Sequence, residues 1–255
     1  MIEVNQLTKV FDLTKKQRKE LATTDKKAIA VDDISFKCKP GRIFSLLGPN
    51  GAGKTTTLRI LATIFQPSKG TVSICGINTL EQPQLAKRKI GFLTGSTGLY
   101  ARLTPNELIK YFADLYGVSA ADFEKRKAYL YTLLNMHDFQ DKRIGKLSTG
   151  MKQKVSICRT MIHDPEVVIF DEPTSGLDVI TAKNIIQLIQ DCKDQGKTVI
   201  FSSHIMSEVD LLCDDLAIIH KGKIVYAGEM NAFRTEMQAQ NLTAEFIRII
   251  ESSTN

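Results

Sequence analysis

The chain has 255 residues, 43% apolar and 24% charged, an ordinary composition for one large globular domain able to bury a sizeable core. No apolar run exceeds four residues, against the roughly 20 that a membrane-spanning helix needs, and the opening Met1-Ile2-Glu3-Val4 has no basic-then-apolar leader. Net charge is +6; half of it comes from Asp12 to Lys27, where Lys15, Lys16, Arg18, Lys19, Lys26 and Lys27 outnumber Asp12, Glu20 and Asp25, a stretch that reads as a solvated loop or hairpin tip.

Alternating apolar positions predict a strand at Ile2 to Leu7 and another through Ile29, Val31, Ile34 and Phe36, joined by the basic stretch. After Pro40-Gly41, the run from Ile43 to Leu47 predicts a buried strand that enters a glycine-rich loop. Helical spacing follows from Thr55 to Ile64. Short strands are expected at Val72–Ile74 and Ile90–Leu93. From about Ser96 to Lys146 the character turns helical: Thr104-Pro105-Asn106-Glu107 is a capping box with proline at the first helical position, and Phe123, Tyr129 and Leu133 mark a second helix. A third begins at Ser148, with Met151, Val155, Cys158 and Ile162 on one face. Then come a strand at Val167–Asp171, a helix at Thr181–Cys192, a strand at Thr198–Ser202 and a helix near Met206–Cys213. A hairpin pairs Leu216–Ile219 with Ile224–Tyr226, and a tail helix carries Leu242, Phe246, Ile249 and Ile250 on one side. Strands alternating with helices predict an α/β fold with a mostly parallel sheet flanked by helices, the 96–147 block being inserted into it. Cys38, Cys75, Cys158, Cys192 and Cys213 form no C-x-x-C pair and are expected as reduced, partly buried thiols in cytoplasm.

Gly48-x-x-x-x-Gly53-Lys54-Thr55 sits between a predicted strand and a predicted helix, the setting of a phosphate-binding loop. Glycines allow successive N–H groups to turn inward as an anion nest, and the helix adds its positive end. Lys54 supplies a cation for the β- and γ-phosphates, and Thr55 a hydroxyl for Mg²⁺. Asp171, ending an apolar strand, is placed to hold a magnesium-bound water, and the adjacent Glu172 to orient and deprotonate an attacking water. Leu147-Ser148-Thr149-Gly150-Met151 opens a second helix whose start attracts phosphate, with Ser148 also able to act as its cap. Two such helix starts meet one nucleotide if two chains pair head to tail.

In this combination the chain, from about Met1 to Phe233, resembles the nucleotide-binding subunit of an ABC transporter. The resemblance implies a P-loop fold of the ABC type, with an antiparallel β subdomain and an inserted helical subdomain. Its ATPase domain would span 1–233, with a core of 1–95 and 148–233, a helical subdomain of 96–147 and a helical tail of 234–255. It implies ATP and Mg²⁺ as ligands. Gly48, Pro49, Asn50, Gly51, Ala52, Gly53, Lys54, Thr55 and Thr56 match the Walker A loop, Ser148, Thr149, Gly150 and Met151 the signature, and Asp171-Glu172 the Walker B end. Ser175 to Asp178 matches the loop that reaches across the dimer, His204 the histidine that contacts the γ-phosphate, and Phe11 the aromatic that stacks on adenine. A second ATPase subunit, in a homodimer, and membrane permease subunits are the implied partners, at the cytoplasmic face of the membrane. No nucleic acid is expected.

Three departures from the family pattern stand out. Thr149 and Met151 replace the commoner Gly and Gln, with function expected to survive. Gly95 stands where the family has a metal-contacting glutamine, leaving Ser96, Thr97 or a water as substitutes. The Asp12–Lys27 link is longer than usual. The segment from Gly91 to Pro105 is similar to bacterial sodium-extrusion ABC ATPases, and the chain more broadly to the drug- and ion-exporting branch. The alternative is a soluble ABC ATPase acting on nucleic acid or the ribosome. It has the basic charge in its favour, and against it the single set of motifs and the absence of sustained heptads. A phosphate-loop GTPase or kinase is ranked lower still, because the chain has no Asn-Lys-x-Asp. His137, His163 and His220 receive no role.

Overall fold

The computed structural model describes residues 1–20, 22–94 and 98–253. Strand β1 (Ile2–Asp12) pairs antiparallel with β2 (Lys27–Cys38) and β4 (Lys69–Ile74), and β5 (Ile77–Asn78) completes a four-stranded sheet ordered β2-β1-β4-β5. The first strand extends five residues beyond the expected Leu7. Gln6 (φ +50°) and Asp33 (φ +53°) shift the register between β1 and β2, and such a bulge breaks the apolar alternation from which strands are read. The basic link was expected as a loop but contains a helix, α1 (Lys15–Glu20). A reciprocal cap starts it: the Gln17 N–H donates to Thr14 Oγ1 (3.3 Å) and the Thr14 N–H to Gln17 Oε1 (2.9 Å).

A second sheet is assembled from β3 (Arg42–Leu47), β6 (Ile90–Leu93), β7 (Val167–Asp171), β8 (Thr198–Ser202), β9 (Asp215–His220) and β10 (Lys223–Glu229), in the order β10-β9-β3-β8-β7-β6. All its neighbours are parallel except β10 on β9, as a mostly parallel sheet requires. Strand periodicity splits its side chains between two cores. Val168, Phe170, Val199, Phe201, Leu216 and Ile218 face one side; Val167, Ile169, Ile200, Ala217 and Ile219 face the other. Both faces being covered explains why these strands read as continuous apolar runs. Each large side chain so buried contributes about 1.5–3 kcal/mol.

The first face is covered by α4 (Pro105–Leu115), α5 (Ala120–Leu133), α6 (Thr149–Met161), α7 (Val179–Asp194) and α8 (Met206–Leu212), the second by α2 (Lys54–Leu61), α3 (Pro83–Lys89) and the antiparallel sheet. The predicted capping box opens α4: the Glu107 N–H donates to Thr104 Oγ1 (3.2 Å), and the Thr104 N–H to Glu107 Oε2 (2.8 Å). Helix α2 ends three residues before the expected Ile64, because Thr63 (φ +59°) turns left-handed and the Phe65 N–H returns to the Arg59 carbonyl at 3.2 Å. The short α3 and α9 (Met230–Glu236) were not foreseen. The tail helix α10 (Leu242–Ser252) packs Phe246, Ile249 and Ile250 against the first core. Among the described residues, no helix is long and apolar enough to cross a membrane.

Candidate nucleotide site

The site lies at the carboxyl ends of three adjacent parallel strands, β3, β8 and β7, where an open α/β sheet leaves its crevice. The phosphate-loop residues follow β3. Close approach to neighbouring backbone fixes two of its glycines. A Cβ on Gly48 would stand 2.3 Å from the Ile219 carbonyl oxygen, and one on Gly53 (φ +112°) 2.4 Å from that of Ala30. Gly53 leads directly into α2, so the loop feeds a helix start. Lys54 is 6% exposed, and its Nζ donates to the carbonyls of Gly48 (2.7 Å) and Pro49 (3.1 Å). Burial lowers its pKa, against the raising influence of the Glu172 and Asp171 charges.

Asp171 and Ser202 are register partners on β7 and β8. Asp171 Oδ1 accepts from Ser202 Oγ (2.8 Å) and from Thr55 Oγ1 (3.2 Å), which brings the end of β7 onto the first turn of α2. Glu172 then turns left-handed (φ +51°), a conformation costing about 1–3 kcal/mol in a non-glycine residue. Its N–H donates to the carbonyl (3.1 Å) and hydroxyl (3.2 Å) of Ser202, which holds the turn. The Glu172 carboxylate ends 3.5 Å from His204 Nδ1, on a more exposed edge than the buried Asp171. Below this edge the buried Glu208 accepts from Thr174 Oγ1 (2.9 Å) and Ser203 Oγ (3.0 Å), tying the loops after β7 and β8 together.

Two clefts share Glu172. One, of about 430 Å³, is lined by Thr55, Asp171, Glu172, Thr94, Thr149 and Gln153 among others. The second, of about 290 Å³, is lined by Pro49, Asn50, Glu172, His204, Met206 and Phe246 among others. Ser148 caps α6, accepting from the Met151 N–H at 3.2 Å, and Asp178 caps α7, accepting from the Thr181 N–H at 2.9 Å. Of the signature residues, Thr149 reaches the first cleft, while the Ser148 hydroxyl is turned onto its own helix. Phe11 lies within β1 rather than after it. Its ring meets Phe65 edge-on (5.5 Å between centroids), with Lys9 Nζ 4.9 Å from its centre, and it lines neither cleft. Gly95, Ser96 and Thr97 lie outside the described residues. Sequence reading missed Ser202, Glu208 and Phe246: a serine ending a strand, a glutamate in a short helix and an aromatic in a tail carry no pattern of their own.

Residues 31–175 match the family model described as ABC transporter. The chain belongs to the ABC transporter family. It is 41% identical over 226 residues to the ABC transporter ATP-binding protein NatA of Bacillus subtilis, spanning 88% of this chain and 92% of that one. Among solved structures, an ATP binding subunit of an ABC transporter superposes with a TM-score of 0.86 at 26% identity, covering 98% of this chain and 99% of the other. The fold is also that of the dimeric ATP-binding cassette MJ0796 bound to ADP and Pi, with a TM-score of 0.78 at 24% identity over 90% of this chain and 99% of that one. This ABC protein is therefore the ATP-binding, ATP-hydrolysing subunit of a transporter, the kind of subunit that works with membrane subunits.

Proposed function

We propose that two copies of this subunit close head to tail on ATP, each phosphate loop facing the Ser148–Met151 helix start of the other, and that the cycle drives export through membrane permease subunits at the cytoplasmic face. The proposed cargo is sodium ions, on the likeness of Gly91–Pro105 to sodium-extrusion ATPases, or drugs, on the wider likeness of the chain to the drug- and ion-exporting branch. The observation that carries the reading is the meeting of Thr55, Asp171, Glu172 and His204 at one sheet edge, with the Thr55 and Asp171 oxygens 3.2 Å apart and Glu172 3.5 Å from His204. A hydroxyl and a carboxylate are hard oxygen donors that suit Mg²⁺, which keeps most of its shell for water and phosphate. When bound, Mg²⁺ supplies charge neutralisation between the phosphates.

In this reading the loop residues Gly48, Asn50, Gly51, Ala52, Gly53, Thr55 and Thr56 cradle the phosphates by their N–H groups, Pro49 shapes the turn between them without a donor of its own, and Lys54 neutralises the charge. Its ammonium exchanges two neutral carbonyls for phosphate oxygens, a stronger, charge-assisted pairing. Glu172 takes the proton of the attacking water, His204 donates to the γ-phosphate, Phe11 stacks on adenine, and Asp178 acts across the dimer. The ATPase unit spans 1–233, with a 96–147 helical subdomain and a 234–255 tail. Glu172→Gln tests the core of this reading. It is expected to bind ATP within about threefold of wild type and to lose at least about a hundredfold in turnover. Normal hydrolysis by that variant would remove Glu172 as the base.

A further inference from the structure

The basic link between β1 and β2 has no part in the nucleotide site, yet it is an ordered element. Helix α1 opens on the reciprocal Thr14–Gln17 cap and closes where the Thr23 N–H returns to the Arg18 carbonyl at 3.0 Å. The Leu13 N–H donates to the Lys26 carbonyl (2.8 Å), which joins the two stems. No residue of α1 is buried, so packing does not account for it. Two of the link's acids are taken up within it: Glu20 lies 3.9 Å from Lys16 Nζ, and Asp25 accepts from Thr23 Oγ1 at 3.2 Å. Among the described residues, Lys15, Arg18, Lys19, Lys26 and Lys27 have no carboxylate within ion-pair distance, although Asp12 is the register partner of Lys27. Lys15, Arg18 and Lys19 share one face of α1, at i, i+3 and i+4, where like charges weaken an isolated helix. A second observation is Ile29, an aliphatic residue 60% exposed. The register shift between Lys9 and Val10 turns it away from the face that buries Val31. It pairs with Val10 instead, two residues from Lys27 and on the opposite face of the hairpin from Phe11.

We propose that α1 and the neighbouring strand ends rest on the anionic phospholipid headgroups of the bilayer, a contact separate from the one with the permease subunits. The inference rests on the reading that places this subunit at the cytoplasmic face of a membrane. Headgroup phosphates supply the counter-charge that Lys15, Arg18, Lys19, Lys26 and Lys27 lack within the chain, and they relieve the repulsion along α1. Each cation near an anionic surface strengthens binding about fivefold, so the array holds where a single lysine would not. An exposed aliphatic side chain beside cations fits the headgroup boundary, where its carbons leave water while ammonium groups stay among phosphates. Nucleic acid fits this surface less well. From Asp12 to Lys27 the chain has no aromatic on which a base could stack, and one arginine against five lysines gives little bidentate recognition. Ile29 and Lys27 lie on the other face from Phe11, so this contact and the adenine contact do not compete.

The test sediments the full chain with vesicles of phosphatidylcholine alone or with about one-third phosphatidylglycerol. The expected result is binding to the mixed vesicles only, lost when salt rises from about 0.1 M to about 0.5 M. Lys15→Gln, Lys19→Gln, Lys26→Gln and Lys27→Gln together are expected to weaken it at least about thirtyfold, with the thermal midpoint and ATP turnover kept. A control removes the same charge from exposed positions elsewhere, Lys39→Gln, Lys125→Gln, Lys142→Gln and Lys183→Gln, and is expected to stay within about threefold of wild type. Should the first variant be unstable, Ile29→Asp is read in its place, with a loss of at least about fivefold. Equal losses in variant and control, undiminished binding by Ile29→Asp, or a wild-type chain that hydrolyses ATP but ignores the mixed vesicles each overturn the inference and spare the transporter reading. Tighter binding to RNA than to the mixed vesicles overturns the inference and the membrane-face reading together.

Discussion

His163 adds a pH-dependent contribution to this protein's stability through its burial. Its Nε2 lies 3.2 Å from the Ile90 carbonyl and its ring stacks on Tyr116 with centroids 3.9 Å apart, while the buried Nδ1 has no hydrogen-bond partner. Burial pushes its pKa down to about 4, outweighing the Ile90 hydrogen bond and the nearby Asp164, with Arg126 and Lys197 also lowering it. An unfolded histidine titrates near 6.5, so below that pH the unfolded chain binds a proton that the folded one refuses. Stability therefore falls as pH drops from about 6.5 towards 4, by about 2 kcal/mol between pH 7 and pH 5. Urea midpoints at those two pH values check this: His163→Gln is expected to remove that contribution to the difference, and an unchanged difference would assign it to other groups. Nothing in the sequence marked this histidine. A lone His after a helix gives no sign of which ring will cover it.

At the scale of elements, the strand–loop–helix unit from Arg42 to Leu61 is legible from the spacing of its glycines, two of which, Gly48 and Gly53, are fixed by contacts the backbone must make. Gly53→Ala puts a Cβ 2.4 Å from the Ala30 carbonyl at φ +112°, whereas Gly51 (φ +78°) has nothing within 4 Å of its would-be Cβ. Gly53→Ala is thus expected to cost about 2–4 kcal/mol and to abolish ATP binding, and Gly51→Ala only about 1 kcal/mol. Chemical denaturation with nucleotide titration separates the two, and equal effects would mean that left-handed strain alone governs the loop. Less legible elements failed for physical reasons. Strand β1 was cut short by a bulge at Gln6, and α1 was passed over although Thr14 and Gln17 form its capping box, because none of its residues is buried. The tail helix was visible as an amphipathic segment, but amphipathicity says that a face is covered and never by what. Only the folded chain brings Phe246 to Pro49 and His204. Similarly, Asp171 and Glu172 were readable as adjacent carboxylates, while their division into one buried beside Thr55 and one turned towards His204 depends on the left-handed turn at Glu172 and its Ser202 anchor.

For the molecule as a whole, the proposed head-to-tail dimer requires that one chain carry two unlike halves of a site. Lys54 and Glu172 stand at the sheet edge, while the Ser148 hydroxyl is turned onto its own α6, on the other side of the cleft that Thr149 enters. If catalysis needs the loop of one copy and the helix start of the other, damage to the two halves must complement in mixtures. Lys54→Ala removes the phosphate cation, and Ser148→Arg fills the opposing helix start; each homodimer then has two broken sites and hydrolyses almost nothing. In an equimolar mixture half of the dimers are mixed, and each mixed dimer unites one intact loop with one intact Ser148 while concentrating both lesions in its other site. For independent sites the mixture regains about a quarter of wild-type turnover. ATPase assays on the mixture, with each variant alone as the baseline, decide the matter: activity no greater than the average of the two baselines would mean that each chain hydrolyses ATP with its own residues, and that the head-to-tail arrangement has no part in catalysis.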